Sequence, residues 1–457
     1  MIFIRQWLVP LLMVAAVCGC MESALGPVAQ DIACKDCNII VLTIDALRAD
    51  HVGAYGYRRN TTPNIDEFSK KGVIFKYAFV QWPRTSQSMA SMLSGKYPSE
   101  TGVRGLKTRV PADNLMLAEM LKGAGYRTGG FVTNPNLASF FGFDQGFDEY
   151  HEEWKKKNKD QKWTDIQNWY SASSVTPDVV DWVRKNKDTK FFLWVHYIDP
   201  HAPFTPPKPY RSRFVWDRYY QGDKLVPTNR LELYNRLNKS KMTEVDYMVS
   251  QYDGEIAYAD DNVGVLLREL NEQGLLEKSI IIITADHGES MDEHGEYFKH
   301  GYKLYNPTLR IPLIIFNPRV KGGVFEEPVS ALDIVPTVLD SIGAGNSGIG
   351  FEGQSLLQLR SEGGHTPQVF SEVDGAYSVV DGVYKLVLPK KSKRPLLFKY
   401  TEDPGESNPV NDSILIERLT NEIEEHVRNH PVRKNNAPQE SLSPDIEEQL
   451  RTLGYIN

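Results

Sequence analysis

NIIVLTID, residues 38–45, is a continuous apolar run, rich in β-branched residues, that ends in a carboxylate. A run of this kind predicts a strand buried on both faces, as in parallel sheets. Residues 191–197, 279–284 and 311–316 have the same character, and helical spacing of apolar residues, as over residues 252–272, occurs between them. This alternation of strands and helices predicts a doubly wound, mostly parallel α/β sheet.

Metal-capable side chains stand where three of these strands end. Asp45 follows the first strand, His201 comes shortly after the second, and Asp286 and His287 follow the third. Because the carboxyl ends of parallel strands meet at one edge of a sheet, we expect these side chains to converge there. Carboxylate and imidazole groups together suit a divalent cation, so the pattern predicts a metal site. A buried structural role is the alternative for His287.

Composition and charge exclude several classes of protein. The chain has 457 residues, 41% hydrophobic and 24% charged, which is the balance of a globular protein with one large domain and room for a smaller one. The formal net charge of −7 offers no basic footprint for nucleic acid, so we expect no nucleic-acid partner.

The last quarter of the chain has a different pattern. Strand-forming runs within residues 368–388 fold back at Asp381-Gly382, and a helical pattern covers residues 413–429. A tight Asp-Gly turn between such runs is typical of an antiparallel hairpin. The predicted division is therefore a large domain over residues 38–345 and a smaller α+β subdomain over residues 346–457.

The N-terminal segment carries targeting signals. Residues 1–19 combine Arg5 with a short apolar run and predict a secretory signal peptide, too short to span a bilayer. The run Val17-Cys18-Gly19-Cys20 resembles a bacterial lipobox and predicts a lipid anchor at Cys20. We expect an exported lipoprotein, held to a membrane in the periplasm or at the cell surface, with residues 20–37 as a linker. Ordinary signal cleavage and an uncleaved anchor are the alternatives.

Cys34 and Cys37 form a Cys-x-x-Cys pair just before the first strand. A zinc site would need two more ligands nearby, and redox pairs of this kind stand at the start of a helix. In an exported protein the pair predicts a local disulfide, without a part in catalysis.

A set of motifs follows along the chain in a fixed order, at residues 43–51, 55–57, 60, 62–66, 92–98, 196–204, 284–289, 300–301, 304–305, 309–312, 333–337, 403–406 and 453–455. Together they resemble the sulfatase family of the alkaline phosphatase superfamily. The resemblance implies an alkaline-phosphatase-like fold and a hydrolase or transferase acting on sulfate or phosphate esters. It also implies one divalent metal ion, for which calcium, manganese and zinc all suit the ligands.

The chain departs from that family at the nucleophile. Sulfatases carry Cys-x-Pro-x-Arg, or Ser in place of Cys, ten residues before the glycine that is Gly95 here, where this chain has TSQSM, residues 85–89. Neither Cys nor Ser stands at the position where formylglycine is made, so we expect none. The tandem acidic pair is reduced to Asp45-Ala46, and the family's Gly-Lys-Trp-His motif is absent, with Val132-Thr133-Asn134-Pro135 in its region.

Threonine at this position is similar to the phosphoethanolamine and phosphoglycerol transferases of the superfamily. The resemblance implies that Thr85 is the nucleophile and a metal ligand beside Asp45, Asp286 and His287. Two alternatives stay open: Thr85 as the N-cap of the following helix, and Ser86 as the nucleophile.

Three further residues are predicted from matched motifs. His201 and His300 correspond to histidines that contact the transferred group, and one of them would protonate the leaving oxygen. Lys299 would steady a non-bridging oxygen, or else be a solvated lysine. We expect Arg48, close to Asp45, to be mainly structural.

The predicted function is a metal-dependent sulfatase-like hydrolase or transferase with a threonine nucleophile. A glycan or a lipid headgroup would carry the sulfate or phosphate ester. Two alternatives remain: a phosphoethanolamine- or phosphoglycerol-type phosphotransferase, and a non-catalytic anchored binding protein with a degenerate site.

Overall fold

The computed structural model describes residues 33–156, 171–217, 244–345, 350–357, 368–392, 394–435, 442, 444–452 and 455. The predicted signal peptide, Cys20 and most of the predicted linker lie outside the described residues. Within the described part of the chain, no helix has the length and apolar character needed to cross a membrane.

A nine-stranded mixed sheet forms the centre of the described structure. Its strands are β1 Asn38–Ile44, β2 Val73–Phe79, β3 Arg127–Val132, β4 Glu149–Glu152, β5 Phe191–Tyr197, β6 Ser279–Ala285, β7 Arg310–Ile311, β8 Leu313–Phe316 and β9 Gly323–Ser330. The spatial order is β4-β3-β5-β1-β6-β8-β2-β7, with β9 beside β2.

The first strand lies near the middle of this sheet. β1 pairs with β5 on one side and with β6 on the other, both in parallel, and all of its residues are buried. Its β-branched, two-sided apolar composition suits that position, since both faces of the strand are covered. The predicted α/β class with a mostly parallel sheet is therefore confirmed.

Helices cover the sheet. Those described are α1 Pro63–Ser69, α2 Thr85–Ser94, α3 Pro98–Thr101, α4 Leu117–Gly123, α5 Ala172–Asn186, α6 Tyr210–Arg213, α7 Val245–Glu272, α8 Asn306–Leu309, α9 Ile334–Ser341, α10 Ser413–Asn429 and α11 Pro444–Thr452. The longest, α7, begins at Val245 rather than at residue 252 as predicted, because buried Met248 and Val249 extend its apolar face.

The strand predicted over residues 311–316 differs from expectation. It is divided at Pro312 into β7 and β8, because proline has no N–H for the ladder. β8 runs antiparallel to β6 rather than in parallel with its neighbour.

A second, antiparallel sheet is built by β10 Val369–Val373, β11 Ala376–Asp381, β12 Tyr384–Leu388 and β13 Leu396–Phe398. β11 and β12 form the predicted hairpin, with Gly382 at a φ of 56° in the turn, where a residue without a Cβ avoids strain. Leu419 and Ile423 of α10 pack on this sheet.

The C-terminal segment returns to the large sheet. Ile446 and Leu450 of α11 are buried in the main core, and the helix packs against the short 3-10 turn Pro135–Leu137. Tyr455 follows, and its N–H donates to the carbonyl oxygen of Leu450 over 2.8 Å. This packing brings the end of the chain to the edge where β3 ends.

Cys34 and Cys37 form the predicted local disulfide. The bridge lies directly before β1, where the N–H of Cys34 also donates to the carbonyl oxygen of Ser341. This hydrogen bond therefore links the segment before β1 to the end of α9.

Candidate active site

Four neighbouring parallel strands end at one edge of the large sheet. β3, β5, β1 and β6 are consecutive in the sheet and share one direction. Asn134 lies beyond β3, His201 beyond β5, Asp45 directly after β1, and Asp286 directly after β6. This is the edge at which ligands bind in open α/β sheets.

Asp45 and Asp286 are two fully buried carboxylates at this edge. Asp286 Oδ1 accepts hydrogen bonds from the N–H groups of Ala46 and His287, at 3.0 and 2.9 Å. Within the described residues, Asp286 Oδ2 and Asp45 Oδ1 have no hydrogen-bond partner. Burial and the nearby Asp45 carboxylate raise the pKa of Asp286 well above its ordinary value. Burial also opposes ionisation of Asp45, but the surrounding histidines hold its pKa well below the usual range.

His287 is oriented as a metal ligand would be. Its Nδ1 lies 2.8 Å from the carbonyl oxygen of Gly288, so the Nε2 lone pair is left toward the carboxylates. Nε2 lies 3.4 Å from Asp286 Oδ2 and 3.7 Å from Asp45 Oδ1. Burial, together with the nearby His300, lowers the pKa of His287 to about 3, so the ring is neutral as a ligand must be.

Thr85 is the first residue of α2, and its side chain is fully buried. Its Oγ1 lies 3.3 Å from His287 Nε2. The N-cap residue is Arg84, so the alternative that the Thr85 side chain caps the helix is wrong. The hydroxyl of Ser86 donates instead to the carbonyl oxygen of Asn136 over 3.4 Å. The structure therefore brings Thr85 together with all three predicted metal ligands.

Ala46 occupies the position of the missing second acid. Its φ of 56° lies in the left-handed region, which is unusual for a residue with a Cβ. Two hydrogen bonds hold this turn: the Ala46 N–H donates to Asp286, and its carbonyl oxygen accepts from the hydroxyl of Tyr252 over 2.7 Å. The backbone of Ala46 thus positions the predicted ligand Asp286, although the Ala46 side chain cannot bind a metal.

His196 also lies in the site, although it is not among the residues predicted from the sequence. It is fully buried near the end of β5, with Nδ1 2.7 Å from Thr43 Oγ1 and Nε2 3.3 Å from Asp45 Oδ2. One ligand atom each from His196, Asp45 and Asp286 lie close enough together to share a cation. A histidine within an otherwise apolar strand was the available signal, together with the matched motif that begins there.

Asn134 and Tyr455 were also left out. Asn134 Nδ2 donates to Asp45 Oδ2 over 2.5 Å and to the hydroxyl of Tyr455 over 2.9 Å. Burial and the nearby Asp45 carboxylate raise the pKa of the Tyr455 phenol well above its ordinary value. Tyr455 closes the last matched motif, but its contact with Asn134 has no local signal because the two residues are far apart along the chain.

His201 and His300 face each other across the opening of the site, with ring centres 5.1 Å apart. His201 Nδ1 lies 2.7 Å from the carbonyl oxygen of Ala202, and its Nε2 has no partner within the described residues. His300 Nδ1 lies 3.1 Å from the buried carboxylate of Glu289, and its ring centre is 4.2 Å from that of His287. His201 therefore presents Nε2 to the site, whereas His300 is held through Nδ1 by Glu289.

Two basic residues near the site, Arg48 and Lys299, have different surroundings. The guanidinium of Arg48 binds Asp50 and the carbonyl oxygen of Glu289, at 2.7 and 3.0 Å. Lys299 pairs with Ser290 through its backbone, and no hydrogen bond or ion pair of its ammonium group is found among the described residues. Its catalytic role stays a prediction.

Arg84, directly before Thr85, is half-buried, and its guanidinium lies 5.0 Å from the ring centre of Tyr302. Tyr302 is 61% exposed. A cation and an open aromatic face therefore stand together beside the first turn of α2.

The side chains present fit a divalent cation. The fit is shown by two buried carboxylate oxygens without partners in the described structure, Asp45 Oδ1 and Asp286 Oδ2, both facing His287 Nε2. Buried carboxylates without such compensation are costly. Oxygen and imidazole ligands of this kind are used by several divalent metals.

Comparison with known proteins agrees with this geometry. The sequence model of the family described as Sulfatase matches residues 37–344. An arylsulfatase of Clostridium perfringens is 27% identical over 457 aligned positions, which cover 84% of this chain and 92% of that enzyme. Three further sulfatases match over less of their own length, with 64%, 63% and 62% covered.

Solved structures share the fold. A protein solved in complex with its substrate D-glucosamine-2-N,6-O-disulfate superposes with a TM-score of 0.71 at 20% identity, covering 89% of this chain and 100% of that one. A phosphonate monoester hydrolase of Silicibacter pomeroyi superposes with a TM-score of 0.69 at 20% identity, covering 88% and 97%. At this identity the likeness concerns the fold.

Proposed function

The chain belongs to the sulfatase family, and from that membership we propose that it is a metal-dependent ester hydrolase in which an unmodified Thr85 is the nucleophile. The observation that carries this proposal is the position of the Thr85 hydroxyl, 3.3 Å from His287 Nε2, the same atom that lies 3.4 Å from Asp286 Oδ2 and 3.7 Å from Asp45 Oδ1. No formylglycine takes part in the proposed reaction, since residue 85 is a threonine where sulfatases carry the Cys or Ser that is converted to formylglycine.

Thr85, Asp45, Asp286 and His287 would hold the metal ion, with His196 behind Asp45. When bound, the ion supplies a Lewis acid that lowers the pKa of the Thr85 hydroxyl and offsets negative charge. The start of α2 adds its N-terminal partial positive charge beside the same oxygen. The start of α2 thus positions the proposed nucleophile, and the ion held by residues at the strand ends would activate it.

The first step transfers the sulfuryl or phosphoryl group to Thr85. Thr85 Oγ gives its proton to solvent and forms a bond to sulfur or phosphorus while the bond from that atom to the ester oxygen breaks. The departing oxygen takes a proton from Nε2 of His300, whose Nδ1 is held by Glu289. His201 Nε2 contacts the transferred group across the opening. Lys299 is proposed to neutralise part of its charge from the neighbouring position.

The second step releases the group. Water attacks the sulfur or phosphorus atom and gives a proton to His300, and the bond to Thr85 Oγ breaks. Oγ then takes a proton from solvent, which restores the hydroxyl. An acceptor alcohol in place of water would make the same chain a transferase.

We propose a sulfated carbohydrate as the substrate class. Support comes from two features near Thr85: the half-buried Arg84, which can bind a second anionic group, and the exposed ring of Tyr302, on which a sugar can stack. A glucosamine disulfate is the substrate of a structural neighbour.

A second candidate is hydrolysis or transfer of a phosphate or phosphonate ester. It is favoured by Thr85 itself, because formylglycine, which this residue cannot become, is what allows a hydrated aldehyde to expel sulfate. A phosphonate monoester hydrolase among the structural neighbours has a compatible fold.

The test is a panel of sulfate monoesters, phosphate monoesters, phosphate diesters and phosphonate monoesters, each with calcium, manganese or zinc. Turnover of sulfate esters alone selects the first candidate, and turnover of phosphorus esters alone selects the second. Peptide mass spectrometry should show an unmodified Thr85. An inactive protein on every ester, with metal bound, would instead favour the non-catalytic binding protein.

Export and anchoring remain proposals based on the N-terminal sequence. We propose that Cys20 carries the lipid that holds the mature protein to a membrane. Mature protein should then partition into detergent and carry acyl chains on Cys20. A soluble form with an unmodified N-terminus would contradict this.

A further inference from the structure

A tyrosine from the C-terminal end of the chain lies inside the active site, yet it has no part in the steps proposed so far. The hydroxyl of Tyr455 accepts a hydrogen bond from Asn134 Nδ2 over 2.9 Å, and the same amide donates to Asp45 Oδ2. Burial raises the pKa of the phenol, and the Thr85 side chain lies close enough to lower it against that effect. The Tyr455 ring centre is 5.0 Å from that of His201. Tyr455 thus lies near the proposed nucleophile, near a proposed metal ligand and beside a histidine of the site.

The position of Tyr455 is built into the fold. Leu450 of α11 is fully buried and Ile446 is 9% exposed, both in the main core. The Tyr455 N–H is held by the carbonyl oxygen of Leu450, and its ring packs against the same core. These contacts fix Tyr455 as a lining residue of the site.

Tyr455 does not take the place of a bound anion or metal. A side chain filling that place would be expected to hydrogen-bond the groups that a ligand satisfies. Asp45 Oδ1, Asp286 Oδ2 and His201 Nε2 nevertheless have no partner anywhere in the described part of the chain. The phenol therefore borders the reaction space and leaves it open.

The hydrogen-bond pattern leaves the phenol proton available. Asn134 uses its amide N–H to donate to the Tyr455 oxygen, so that contact does not consume the phenol O–H. The other polar neighbour is the Thr85 hydroxyl, whose oxygen would carry the transferred group. An oxygen of a group bonded to Thr85 would lie next to this donor.

We propose that Tyr455 is a catalytic residue that donates a hydrogen bond to a non-bridging oxygen of the group transferred to Thr85. Asn134 holds the phenol in place for this contact. The proposal rests on the proposed function, because it needs Thr85 as the nucleophile. No bond to Tyr455 forms or breaks, since its proton stays on the phenol and stabilises charge that grows in the transition state.

The test compares wild type, Tyr455→Phe and Tyr384→Phe as full-length, metal-loaded proteins. Tyr455→Phe keeps the ring and loses the donor, and Tyr384→Phe is a matched control at the start of β12 in the second sheet. On the ester that the wild type hydrolyses, we expect kcat of Tyr455→Phe to fall roughly 100-fold, with metal content and melting temperature unchanged. Tyr384→Phe should keep the wild-type kcat. We also expect orthovanadate, which mimics the transition state, to bind Tyr455→Phe roughly ten times more weakly in calorimetry.

Three outcomes would overturn the proposal. A faster reaction in Tyr455→Phe or Tyr455→Ala would identify the side chain as a plug, and an unchanged kcat would identify it as a bystander. Equal orthovanadate affinity in wild type and Tyr455→Phe would exclude the donor role even if no ester is turned over. Failure of the proposed function looks different, because Thr85→Ala would then keep the wild-type rate.

Discussion

The floor and the rim of the site are built in different ways. The floor, meaning Asp45, Thr85, Asp286 and His287, is fully buried, and each of its residues directly follows a strand or begins a helix. The rim, meaning His201, His300, Lys299 and Tyr455, comes from loops and the end of the chain. His201 is 7% exposed and the His300 side chain 13%.

This difference separates what each part can control. Strand ends in a buried sheet fix the floor before any ligand arrives, so its residues suit metal binding and bond making. We propose that the rim residues contact the substrate, and their removal should leave the floor intact. Substitutions at the floor should therefore have the larger effects on chemistry, and substitutions at the rim the smaller ones.

The sharpest test of the floor is Thr85→Ala. Removing the proposed nucleophile should lower kcat by roughly 1,000-fold or more on any ester that the wild type hydrolyses. Thr85→Ser should keep part of the activity, because the hydroxyl stays while the methyl group that restricts its rotamer is lost. With a phosphate ester, a phosphothreonine at residue 85 should be detectable by mass spectrometry after acid quenching.

Ser86→Ala is the matched control, since Ser86 is the neighbouring hydroxyl in the same turn and bonds the backbone of Asn136. It should retain close to the wild-type rate. Wild-type turnover by Thr85→Ala, or loss of turnover only in Ser86→Ala, would move the nucleophile to another residue.

Metal binding gives the second test of the floor. Asp286→Ala should weaken metal affinity by more than the roughly 10- to 100-fold typical of losing an outer-sphere partner, because one of the ligands itself is removed. The fold should persist, since the site lies at strand ends. Metal content after dialysis, measured by elemental analysis, checks this, with exposed Asp188→Ala as the control. Unchanged metal content in Asp286→Ala would place the site elsewhere.

The pH dependence of the metal-free protein probes the same carboxylates. Burial and Asp45 raise the pKa of Asp286 in the folded state, so its contribution to stability is greatest below the ordinary Asp pKa and is lost as pH rises toward the raised value. His287 has its pKa lowered to about 3, so its contribution to stability is lost as pH falls below the ordinary His range. The pKa of Asp45 is held below its usual range, so its contribution changes only at acidic pH.

Asp286→Asn isolates the first contribution, because His287 keeps its own slope in both proteins. In chelator-treated samples, the melting temperature of Asp286→Asn minus that of the wild type should increase between pH 5 and 8, by several degrees. Saturating calcium or manganese should reverse the sign of this difference. A difference that stays constant with pH would show that Asp286 does not carry a raised pKa.

The floor could be predicted from the sequence, whereas much of its support could not. Asp45, Asp286 and His287 each end an apolar run, and parallel pairing of β1 and β6 then forces them together. His196 was hidden within such a run, because strand periodicity does not show which buried side chain turns toward a site. Asn134 and Tyr455 meet only through the packing of α11 on the turn after β3, a contact without a local signal.

The rim provides the smallest expected effect, at Lys299. Its backbone pairs with Ser290, and its ammonium group makes no hydrogen bond or ion pair to the described residues of the site, whereas neighbouring His300 is held by buried Glu289. Lys299→Ala should therefore raise KM about threefold, from the loss of one solvent-screened charge, with kcat nearly unchanged.

His300→Gln, in contrast, should lower kcat roughly 100-fold. The fall should be larger for esters of poorly acidic alcohols than for a nitrophenyl ester, because only the former need a proton on the leaving oxygen. Steady-state kinetics with both leaving groups separates the two residues. A fall of kcat in Lys299→Ala equal to that in His300→Gln would show that Lys299 stabilises the transferred group more strongly in the transition state than in the bound ester.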